Sequence, residues 1–429
     1  MKRTLIRSLE ENLNKNVIIK GWVHRVRRLK GITFIILRDR SGMVQCVVDN
    51  KEPIIHGLKC ESVLEVSGTV KEGKNSLNNF ELAVKSLKVL SKVEEDLPIE
   101  INGEELNISL DTMLNNRILS LRHEKKNAIF RIQHIIVEGF REFLSREGFI
   151  EIFTPKIVAE GAEGGTALFK LNYFGRDAYL AQSPQFYKQM MVASGYERVF
   201  EIGNFFRAEE HDTARHLNQF TSMDLELAFI EDEQDIMDIE EEMLKHIINK
   251  LELEGARYFK MLNVDIPKIV APIPRIEFED AARVLKENYN KIVTDNDLDP
   301  EGERLLSEYA KEKYNSEFIF ITNYSRKKRP MYTMPKGING TRSFDLIFKG
   351  TEITSGGQRI HDYDMLVESF KIKGLNYENF SSYVNVFKYG VPPHGGLAIG
   401  LERLLALLLG INNIRETSAF PRDRSRLTP

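Results

Sequence analysis

The sequence lacks the features that would mark a membrane protein or a disulfide-rich scaffold. No apolar run approaches the roughly 18 to 20 residues that span a bilayer, and the opening stretch MKRTLIRSLEENL turns acidic before a signal-peptide core forms. Only two cysteines are present, Cys46 and Cys60, and they have no metal-ligand spacing. Internal repeats and low-complexity tracts are also missing. We therefore expect a cytoplasmic protein of a reducing compartment, without structural zinc.

Length and charge distribution indicate what is there instead. With 429 residues, of which 42% are apolar, the chain can bury large cores and is expected to form two or three domains. Residues 1–93 carry 18 Lys and Arg against 9 Asp and Glu, whereas the whole chain has a net charge of -3. A basic module joined to an acidic body favours a nucleic-acid partner, because phosphate contacts supply most non-specific affinity. A solvated basic face is the alternative.

The first 93 residues alternate short strand-like segments with turns rich in Gly, Asn, Lys and Ser. The five segments are NVIIKGWVHRVRR, ITFIILRD, VQCVVD, SVLEVSGTV and NFELAVKSLKVL. They predict a small closed β-barrel of the OB type, a fold that commonly displays aromatic rings to unstacked bases. Phe34 and Gln45 lie on the second and third segments, where a ring can stack on a base and an amide can bind its edge. A core position would also suit Phe34.

A different pattern begins after a linker. Residues 94–123 lack sustained periodicity, which predicts a linker or hinge that ends at the next helix. From Glu124 apolar residues recur at spacings of three and four as far as Gly148, and GFIEIFTPKIV then predicts a strand that ends near Pro155. The rest of residues 124–429 alternates strands with helices. We expect an α+β protein, in which the barrel precedes a mixed, mainly antiparallel sheet flanked by helices.

The stretch GNFFRAEEHDTARHLNQFTSMDLELAF, residues 203–229, concentrates charges beside an apolar stripe. Period-two alternation places Asp224 and Glu226 on the face opposite Met223, so the polar face is expected to line a site. Arg207 lies at the end of the preceding strand, and the pair of strands could bind a molecule that carries phosphate and ammonium groups. A surface hairpin closed by salt bridges would produce the same pattern.

Two later stretches carry the other candidate groups. SFDLIFKGTEITSGGQRIHDYD predicts a hairpin that turns at Lys349 and Gly350. Its adjacent strands carry Asp345 and Glu352, which suits Mg²⁺ held jointly with phosphate oxygens. PPHGGLAIGLERLLALLLG predicts a Gly-rich strand that leads into a helix with Arg403 in its first turn, where this side chain can reach a terminal phosphate.

In this order, three stretches resemble the signature motifs of class II aminoacyl-tRNA synthetases. GFIEIFTPKI, with Pro155, is similar to motif 1, FRAEEHDTARHLNQF to motif 2, and GLAIGLERLLALLLG to motif 3. The resemblance covers nearly the whole chain and is closest to aspartyl-tRNA synthetases of the archaeal type. It implies ATP-dependent attachment of L-aspartate to tRNA through an aspartyl-adenylate, with Mg²⁺ and without a protein nucleophile. Motif 1 further implies a homodimer.

The resemblance also implies the contacts to ATP and metal. Arg207 would hold the α-phosphate and Arg403 the γ-phosphate, and these two form the implied catalytic set with Glu352. Either Phe205 or Phe220 would stack on adenine. The implied ATP contacts are Arg207, Glu209, Arg215, His216, Leu217, Glu352, Gly400, Leu401, Glu402 and Arg403. The implied metal ligands are Glu352 and Ser355, assisted by Asp345.

The implied aspartate site draws on the stretches EGGTALF and AQSPQFYKQ. Lys188 and Arg359 would meet the side-chain carboxylate, and Asp224 the α-ammonium group. Two cations facing one substrate group favour aspartate over neutral asparagine, which would leave buried charge uncompensated. The implied set is Glu163, on a loop that closes over the substrate, with Ser183, Gln185, Lys188, Arg207, Asp224, Ser355 and Arg359.

By the same resemblance, the barrel would bind the tRNA anticodon. Phe34, Gln45 and Glu81 would contact its bases. His24 stands where strictly aspartate-specific relatives tend to carry Trp, and Leu77 where they carry Lys. We therefore hypothesise a relaxed enzyme that loads aspartate onto both tRNA(Asp) and tRNA(Asn) and needs a partner amidotransferase to convert the second product.

Three alternatives stay open at this point. An asparaginyl-tRNA synthetase would share the three motifs, although such relatives lack the lysine at position 188. A paralogue that makes free asparagine would lack the barrel. A non-catalytic tRNA-binding protein, built on an inactive synthetase body, would have lost Arg207, Glu352 or Arg403, and all three are present.

Overall fold

The chain divides into two units. One consists of Met1–Ser109 with Ile118–His123, and the other of Leu110–Arg117 with Glu124–Pro429. The computed structural model describes residues 2–73, 77–161, 167–210, 212–294 and 296–429. The predicted linker at residues 94–123 contains two short helices rather than no regular structure, α1 (Leu110–Asn115) and α2 (Arg117–Ser120). The domain boundaries drawn at residues 93 and 123 stay predictions.

The smaller unit is built on a closed barrel of five strands. The strands are β1 (Asn16–Arg28), β2 (Ile32–Asp39), β3 (Gly42–Asp49), β4 (Val63–Glu72) and β5 (Phe80–Ser91). Their spatial order is β1-β2-β3-β5-β4, and only β3 and β5 pair in parallel. Ile35 and Leu37 of β2 are fully buried and alternate with the half-buried Phe34, as period two requires. The predicted OB-type barrel is confirmed.

The larger unit is built on a sheet of eight strands. The strands of the unit are β6 (Ile150–Glu151), β7 (Ile157–Val158), β8 (Lys170–Tyr173), β9 (Arg176–Leu180), β10 (Arg198–Phe206), β11 (Gln219–Ala228), β12 (Arg275–Glu277), β13 (Phe318–Thr322), β14 (Pro335–Lys336), β15 (Gly340–Thr341), β16 (Ser343–Phe348), β17 (Thr351–Arg359) and β18 (His394–Gly400). The spatial order of the eight-stranded sheet is β12-β13-β16-β17-β18-β11-β10-β6, and the pairs β12–β13 and β10–β6 are parallel whereas the other pairs are antiparallel. The mixed, mainly antiparallel sheet is confirmed.

Helices flank this sheet and bury its apolar face. They are α3 (Glu124–Arg146), α4 (Gln185–Met191), α5 (Glu233–Lys250), α6 (Ala256–Leu262), α7 (Phe278–Tyr289), α8 (Pro300–Tyr314), α9 (Tyr363–Ile372), α10 (Ser381–Val384) and α11 (Leu401–Leu408). Ile132 and Phe140 of α3 pack in one core cluster with Met223 and Leu225 of β11. Among the described residues, no helix is both long and apolar enough to cross a membrane.

The first helix and strand of this unit show how well local signals translate into structure. The helix predicted from Glu124 runs to Arg146, and Gly148 follows it with a φ of +80°, a conformation that glycine adopts without strain. The strand predicted to follow it is shorter than expected, because only β6 and β7 pair with neighbours. Between them Pro155 offers no amide hydrogen, and the amide of Thr154 donates to Glu201 Oε1 at 3.1 Å instead of to a strand.

Candidate active site

Three neighbouring strands at the centre of the large sheet, β11, β18 and β17, form the floor of the candidate site. In their register Asp224 of β11 and Ser355 of β17 both lie beside Ala398 of β18. A predicted amino-acid contact and a predicted metal ligand therefore flank one small residue. Toward the other end of β18, Gly400 pairs with Ser222 and leads directly into α11, as the Gly-rich motif predicted.

Lys188 of α4 lies at one end of this floor, which we name the amino-acid end. Its side chain is fully buried and its Nζ atom donates to Asp224 Oδ1 at 2.9 Å. Further bonds of 3.3 and 3.1 Å reach the carbonyl oxygens of Leu225 and Leu397. Lys188 is therefore not an ordinary surface lysine of a helix. It points from α4 toward the strands of the sheet.

Arg359, at the end of β17, is the second cation of the amino-acid end. Its Nε atom donates to Glu226 Oε1 at 2.9 Å, and its Nη2 atom to the Gly396 carbonyl oxygen at 2.9 Å and to Gln185 Oε1 at 3.3 Å. Glu226 is buried, which by itself would raise its pKa, but Arg359 and Lys188 outweigh the burial and the pKa is lowered. The glutamate is therefore held as an anion between two cations.

Glu226 is a residue that the sequence reasoning assigned to the polar face but left out of the site. A Cβ atom at position 396 would lie 2.3 Å from Glu226 Oε2, so Gly396 is required for this carboxylate to lie against β18. The signal that could have identified it was the alternation along β11, which puts it on the same face as Asp224. Two buried cations and two buried carboxylates thus balance each other at the amino-acid end.

The remaining predicted amino-acid contacts lie nearby or outside the described residues. Ser183, just before α4, helps to line a cavity of about 270 Å³ with Phe186 and Tyr383. Gln185 contacts both Glu226, at 3.4 Å, and Arg359. Glu163, predicted on a closing loop, lies outside the described residues.

A second cavity, of about 160 Å³, forms what we name the nucleotide end. It brings together predicted ATP contacts from three separate parts of the chain. They are Arg207, Glu209, Arg215, His216 and Leu217 from the β10–β11 connection, Glu352 from β17, and Gly400, Glu402 and Arg403 from motif 3. Ser355 of β17, which was predicted to bind metal and aspartate, lines the same cavity. Of the two rings predicted to stack on adenine, only Phe220 lines this cavity. Phe205 is fully buried under Lys156, whose Nζ lies 4.3 Å from its ring centre, so stacking by Phe205 is wrong.

The charges at the nucleotide end are less buried than those at the amino-acid end. Arg207 lies over the Phe220 ring at 5.2 Å. Arg403 donates to the Glu352 carbonyl oxygen at 2.8 Å, and its guanidinium lies 4.0 Å from the Glu352 carboxylate. The surrounding protein, followed by the charge of Asp345, raises the pKa of Glu352 to about 7 against the pull of Arg403.

Glu402 makes a structural contact in addition to the one implied by the resemblance. Its carboxylate oxygens accept the backbone amide of Thr221 at 2.9 and 3.1 Å, and only 5% of the residue is exposed. Burial raises its pKa. The side chain therefore fastens α11 to the start of β11, and its contact with ATP stays a prediction.

Arg329, in the segment between β13 and β14, is a second residue that sequence reasoning missed. Its Nη2 atom donates to Asp345 Oδ2 at 2.5 Å and its Nη1 atom to Ser355 Oγ at 3.1 Å. The predicted assistance of Asp345 in metal binding is untested, but one of its oxygens already has a cationic partner. No spacing rule connects Arg329 to β16, because the contact depends on how the intervening loop folds back.

A C-terminal strap, residues 413–424, fastens the segment that carries the predicted nucleotide contacts. Arg415 donates to Asp212 Oδ1 at 2.5 Å and to the Thr213 carbonyl oxygen at 3.2 Å, and pairs with Asp423 of the strap itself. Backbone bonds of 2.9 Å join Ile414 to Ala214 and Asn218 to Arg422. The strap thus holds both sides of the β10–β11 connection.

The barrel brings the predicted anticodon contacts onto one outer face. Gln45 pairs with Ile36 and Glu81 across the strands, and its Nε2 atom donates to Glu81 Oε2 at 2.9 Å. Phe34 lies two residues from Ile36 on the same face of β2, opposite Arg27 of β1.

The two residues predicted to govern tRNA choice lie in different surroundings. His24 occupies the β-bulge of β1, where burial, then Arg38 and Arg25, lower its pKa to about 4. Leu77 is 61% exposed in the β4–β5 connection.

Two family descriptions match the chain. The description "tRNA synthetases class II (D, K and N)" matches residues 109–424, and "OB-fold nucleic acid binding domain" matches residues 17–90. The chain is 48% identical over 436 residues to an aspartate–tRNA(Asp/Asn) ligase of Deinococcus radiodurans, covering 100% of this chain and 99% of the relative. It is 47% identical to the ligase of the same name from Thermus thermophilus, with 100% of both chains covered.

Other similarities cover the same length. An aspartate–tRNA(Asp) ligase of Pyrococcus abyssi is 44% identical, with 98% of each chain covered. Among solved structures, asparaginyl-tRNA synthetase of Pyrococcus horikoshii, complexed with asparaginyl-adenylate, superposes with a TM-score of 0.93 at 30% identity, and 100% of both chains is covered. Fold and sequence thus point to one group of proteins.

Proposed function

The chain belongs to the class II tRNA synthetases of the aspartate, lysine and asparagine group, and from this premise we propose that it attaches L-aspartate to tRNA in two steps. In the first, the α-carboxylate of aspartate attacks the α-phosphorus of ATP, pyrophosphate leaves and aspartyl-adenylate forms. In the second, a terminal ribose hydroxyl of tRNA takes the aspartyl group and AMP leaves. The observation that carries the proposal is the convergence of Lys188 and Arg359 beside a cavity lined by Arg207 and Arg403.

Activation requires positioning rather than a protein nucleophile. Arg207 is proposed to bind the α-phosphate and to stabilise the charge that develops there, and Arg403 to bind the γ-phosphate. Both arginines line the nucleotide cavity with Phe220, whose ring is proposed to stack on adenine. Cations placed before the reaction can supply several kcal/mol of transition-state stabilisation, typically about 3 for one donor.

Magnesium is part of the proposal, and the donor set fits it. Glu352 offers a carboxylate and Ser355 an exposed hydroxyl at the wall of the nucleotide cavity. Mg²⁺ prefers a few such oxygens together with phosphate oxygens. No cluster of three or more His, Cys, Asp or Glu is arranged for a metal in the part of the chain that the structure describes. When bound, the ion would neutralise phosphate charge.

Selection of aspartate follows from charge balance at the amino-acid end. Without substrate, Lys188 is bonded to Asp224 and Arg359 to Glu226. We propose an exchange of partners, in which the substrate ammonium group takes Asp224 and the substrate side-chain carboxylate takes Lys188 and Arg359. Asparagine would bring the ammonium group without the carboxylate and leave one buried positive charge uncompensated.

The tRNA range is proposed to include both tRNA(Asp) and tRNA(Asn), with a partner amidotransferase for the second product. His24 and Leu77 carry this proposal, and the relatives from Deinococcus and Thermus, both named for the two tRNAs, support it. Aminoacylation of two purified transcripts with [¹⁴C]aspartate tests it. Charging of both is expected, and charging of tRNA(Asp) alone would show a strict enzyme.

The asparaginyl activity of the Pyrococcus horikoshii structure is the second candidate, because that structure superposes over the full chain. Pyrophosphate exchange separates the two candidates without tRNA. We expect exchange with aspartate to exceed exchange with asparagine by at least about 10³-fold, since a site built around paired charges rejects the neutral analogue. A preference for asparagine would replace the proposed function.

We also propose a C2 homodimer that works in the cytoplasm. Phe153, Ile150 and Ile157, which surround the motif 1 residue Pro155, are 83%, 47% and 49% exposed. Three exposed apolar side chains in one short stretch favour a self-complementary interface. Sedimentation equilibrium is expected to give twice the chain mass of 49.5 kDa, and a mass of one chain would exclude the dimer.

A further inference from the structure

A cation of the chain itself lies where the sequence predicted a metal ligand set. Arg329 bonds to two of the three predicted ligands, Asp345 and Ser355, and only 14% of its side chain is exposed. Asp345 and Ser355 face each other across the β16–β17 ladder. A single planar guanidinium group therefore bridges two neighbouring strands at the edge of the nucleotide end.

The guanidinium is also fixed from behind. Its central carbon lies 3.9 Å from the centre of the Tyr324 ring, and that residue is 2% exposed. A planar guanidinium can stack on an aromatic ring and contact a carboxylate at the same time, and its rigid fork loses less entropy per hydrogen bond than a flexible side chain does. Arg329 is thus held by an aromatic face, a carboxylate and a hydroxyl before any nucleotide is bound.

We propose that Arg329 is a resident cation that neutralises Asp345, and that the divalent ion of the reaction is held by Glu352 and Ser355 without Asp345. This inference rests on the proposed function. A hydroxyl oxygen has two acceptor lone pairs, so Ser355 can accept from Arg329 and still offer an oxygen to a metal.

Asp345 keeps one oxygen that Arg329 does not use, but this oxygen does not face the nucleotide cavity. Oδ1 is buried and accepts no hydrogen bond among the described residues, and Asp345 is absent from the cavity lining that contains Glu352 and Ser355. An ion that used Oδ1 would leave the cavity for a buried position beside the guanidinium, whose charge would repel it. Arg329 is therefore a positioning residue, which keeps Asp345 out of the metal set and Ser355 in place.

The test measures Mn²⁺ binding by electron paramagnetic resonance on the full-length protein without nucleotide, aspartate or tRNA. R329Q should bind Mn²⁺ about tenfold more tightly, because Asp345 becomes available and a neighbouring positive charge is lost. R329K loses the stacking on Tyr324 but keeps a positive charge beside Asp345, so it should bind within about threefold of the unmodified protein. K327Q removes an exposed charge from the same segment and serves as the matched control, with no change expected. Unchanged or weaker binding by R329Q overturns the inference.

R329Q leaves the buried Asp345 without its cationic partner and can therefore fail to fold. The double variant R329Q/D345N removes both charges and covers that case. If Arg329 already excludes Asp345 from the metal set, the double variant should bind Mn²⁺ within about threefold of the unmodified protein. A loss of more than about tenfold would show that Asp345 is a ligand and would overturn the inference. Failure of the proposed function is seen separately, as absent pyrophosphate exchange in the unmodified protein.

Discussion

The two ends of the candidate site differ in how far their charged side chains are buried. At the amino-acid end, Lys188 is bonded to Asp224 and Arg359 to Glu226, and all four side chains are almost completely buried. At the nucleotide end, the side chain of Arg403 is 36% exposed and lies 4.0 Å from the nearest carboxylate. Burying four charges is costly unless they pair, and each then depends on the others. The arginine of the nucleotide end is more exposed and lies farther from a carboxylate. Under the proposed function, specificity would be built into the fold at one end, while at the other the ligand would complete the charge balance.

Removing one buried cation should have the largest effect. Lys188→Met leaves Asp224 and Glu226 short of a partner, so we expect the free energy of unfolding to fall by about 3 to 5 kcal/mol. Aspartate activation should fall by more than about 10³-fold, because the substrate carboxylate loses a contact. Urea denaturation and pyrophosphate exchange measure the two effects. Lys170→Met, which removes an exposed lysine paired with Asp177, is the control and should change neither quantity measurably. If Lys188→Met were as stable as the unmodified protein, the buried charges of the amino-acid end would not depend on one another as we infer.

Two buried glutamates show the difference between a buried carboxyl group with cationic partners and one without. Glu226 lies between two cations, whereas Glu240 of α5 accepts a bond of 2.5 Å from the Thr354 hydroxyl and has no cationic partner among the described residues. Burial raises the pKa of Glu240 from 4.5 to about 8. Between these two pH values the folded state holds a proton that the unfolded state has lost, so stability falls as pH rises.

Glu240→Gln should remove this part of the pH dependence. The difference in unfolding free energy between the variant and the unmodified protein should grow in favour of the variant by about 3 kcal/mol from pH 5 to pH 7, at about 1.4 kcal/mol per pH unit. Urea denaturation at several pH values measures it. Glu242→Gln, on the exposed face of the same helix, is the control. A difference that is flat over this range would show that Glu240 titrates normally.

At the nucleotide end, Arg403→Gln should separate activity from stability. We expect kcat/KM for ATP to fall by about 10²-fold, because a cation for the terminal phosphate is lost. Unfolding free energy should change by less than about 0.5 kcal/mol, because the side chain is half-exposed. Arg304→Gln, which removes an exposed arginine of α8, is the control. A stability loss comparable to that of Lys188→Met would remove the distinction between the two ends.

A smaller effect is expected when the C-terminal strap is loosened. Arg415→Gln removes the contacts to Asp212 and Thr213, so the KM for ATP should rise by about tenfold while the KM for aspartate stays unchanged. Steady-state pyrophosphate exchange with each substrate varied in turn measures the two constants. Arg283→Gln, from an exposed pair of α7, is the control. Equal changes in both KM values would indicate that the strap supports the whole site.

The smallest effect should come from the barrel. His24→Trp is expected to lower charging of tRNA(Asn) relative to tRNA(Asp) by about fivefold, which corresponds to about 1 kcal/mol, and to leave pyrophosphate exchange unchanged. Leu90→Trp, at a 44% exposed position of β5, is the matched control. A change in exchange would show that the barrel acts on the amino-acid or nucleotide end.

Local and periodic features were predictable from the sequence, and features that depend on side chains from distant segments were not. β1 and β2 begin and end where alternation and turn residues indicated, because each strand is set by its own residues. The polar face of β11 was visible in the same way, but that Glu226 bonds to Arg359, 133 positions away, was not. Arg329 and Glu240 were missed because each bonds to a side chain of another secondary-structure element. Local sequence patterns do not show which side chains of separate elements come into contact. The prediction that Phe205 could stack on adenine failed because periodicity shows on which face of a strand a side chain lies, but not whether other side chains cover that face.

The strap also has a consequence for the order in which the protein is made. Arg415 follows its partner Asp212 by 203 positions. At the usual elongation rates of about 5 to 20 residues per second, a ribosome delivers the arginine roughly 10 to 40 s after the aspartate. During that interval the β10–β11 connection lacks its contacts with the strap, although both of its flanking strands have been made. If the proposed nucleotide site is correct, a nascent chain should acquire its full affinity for ATP only after Arg415 has been made, and a product that stops before Arg415 should bind ATP weakly.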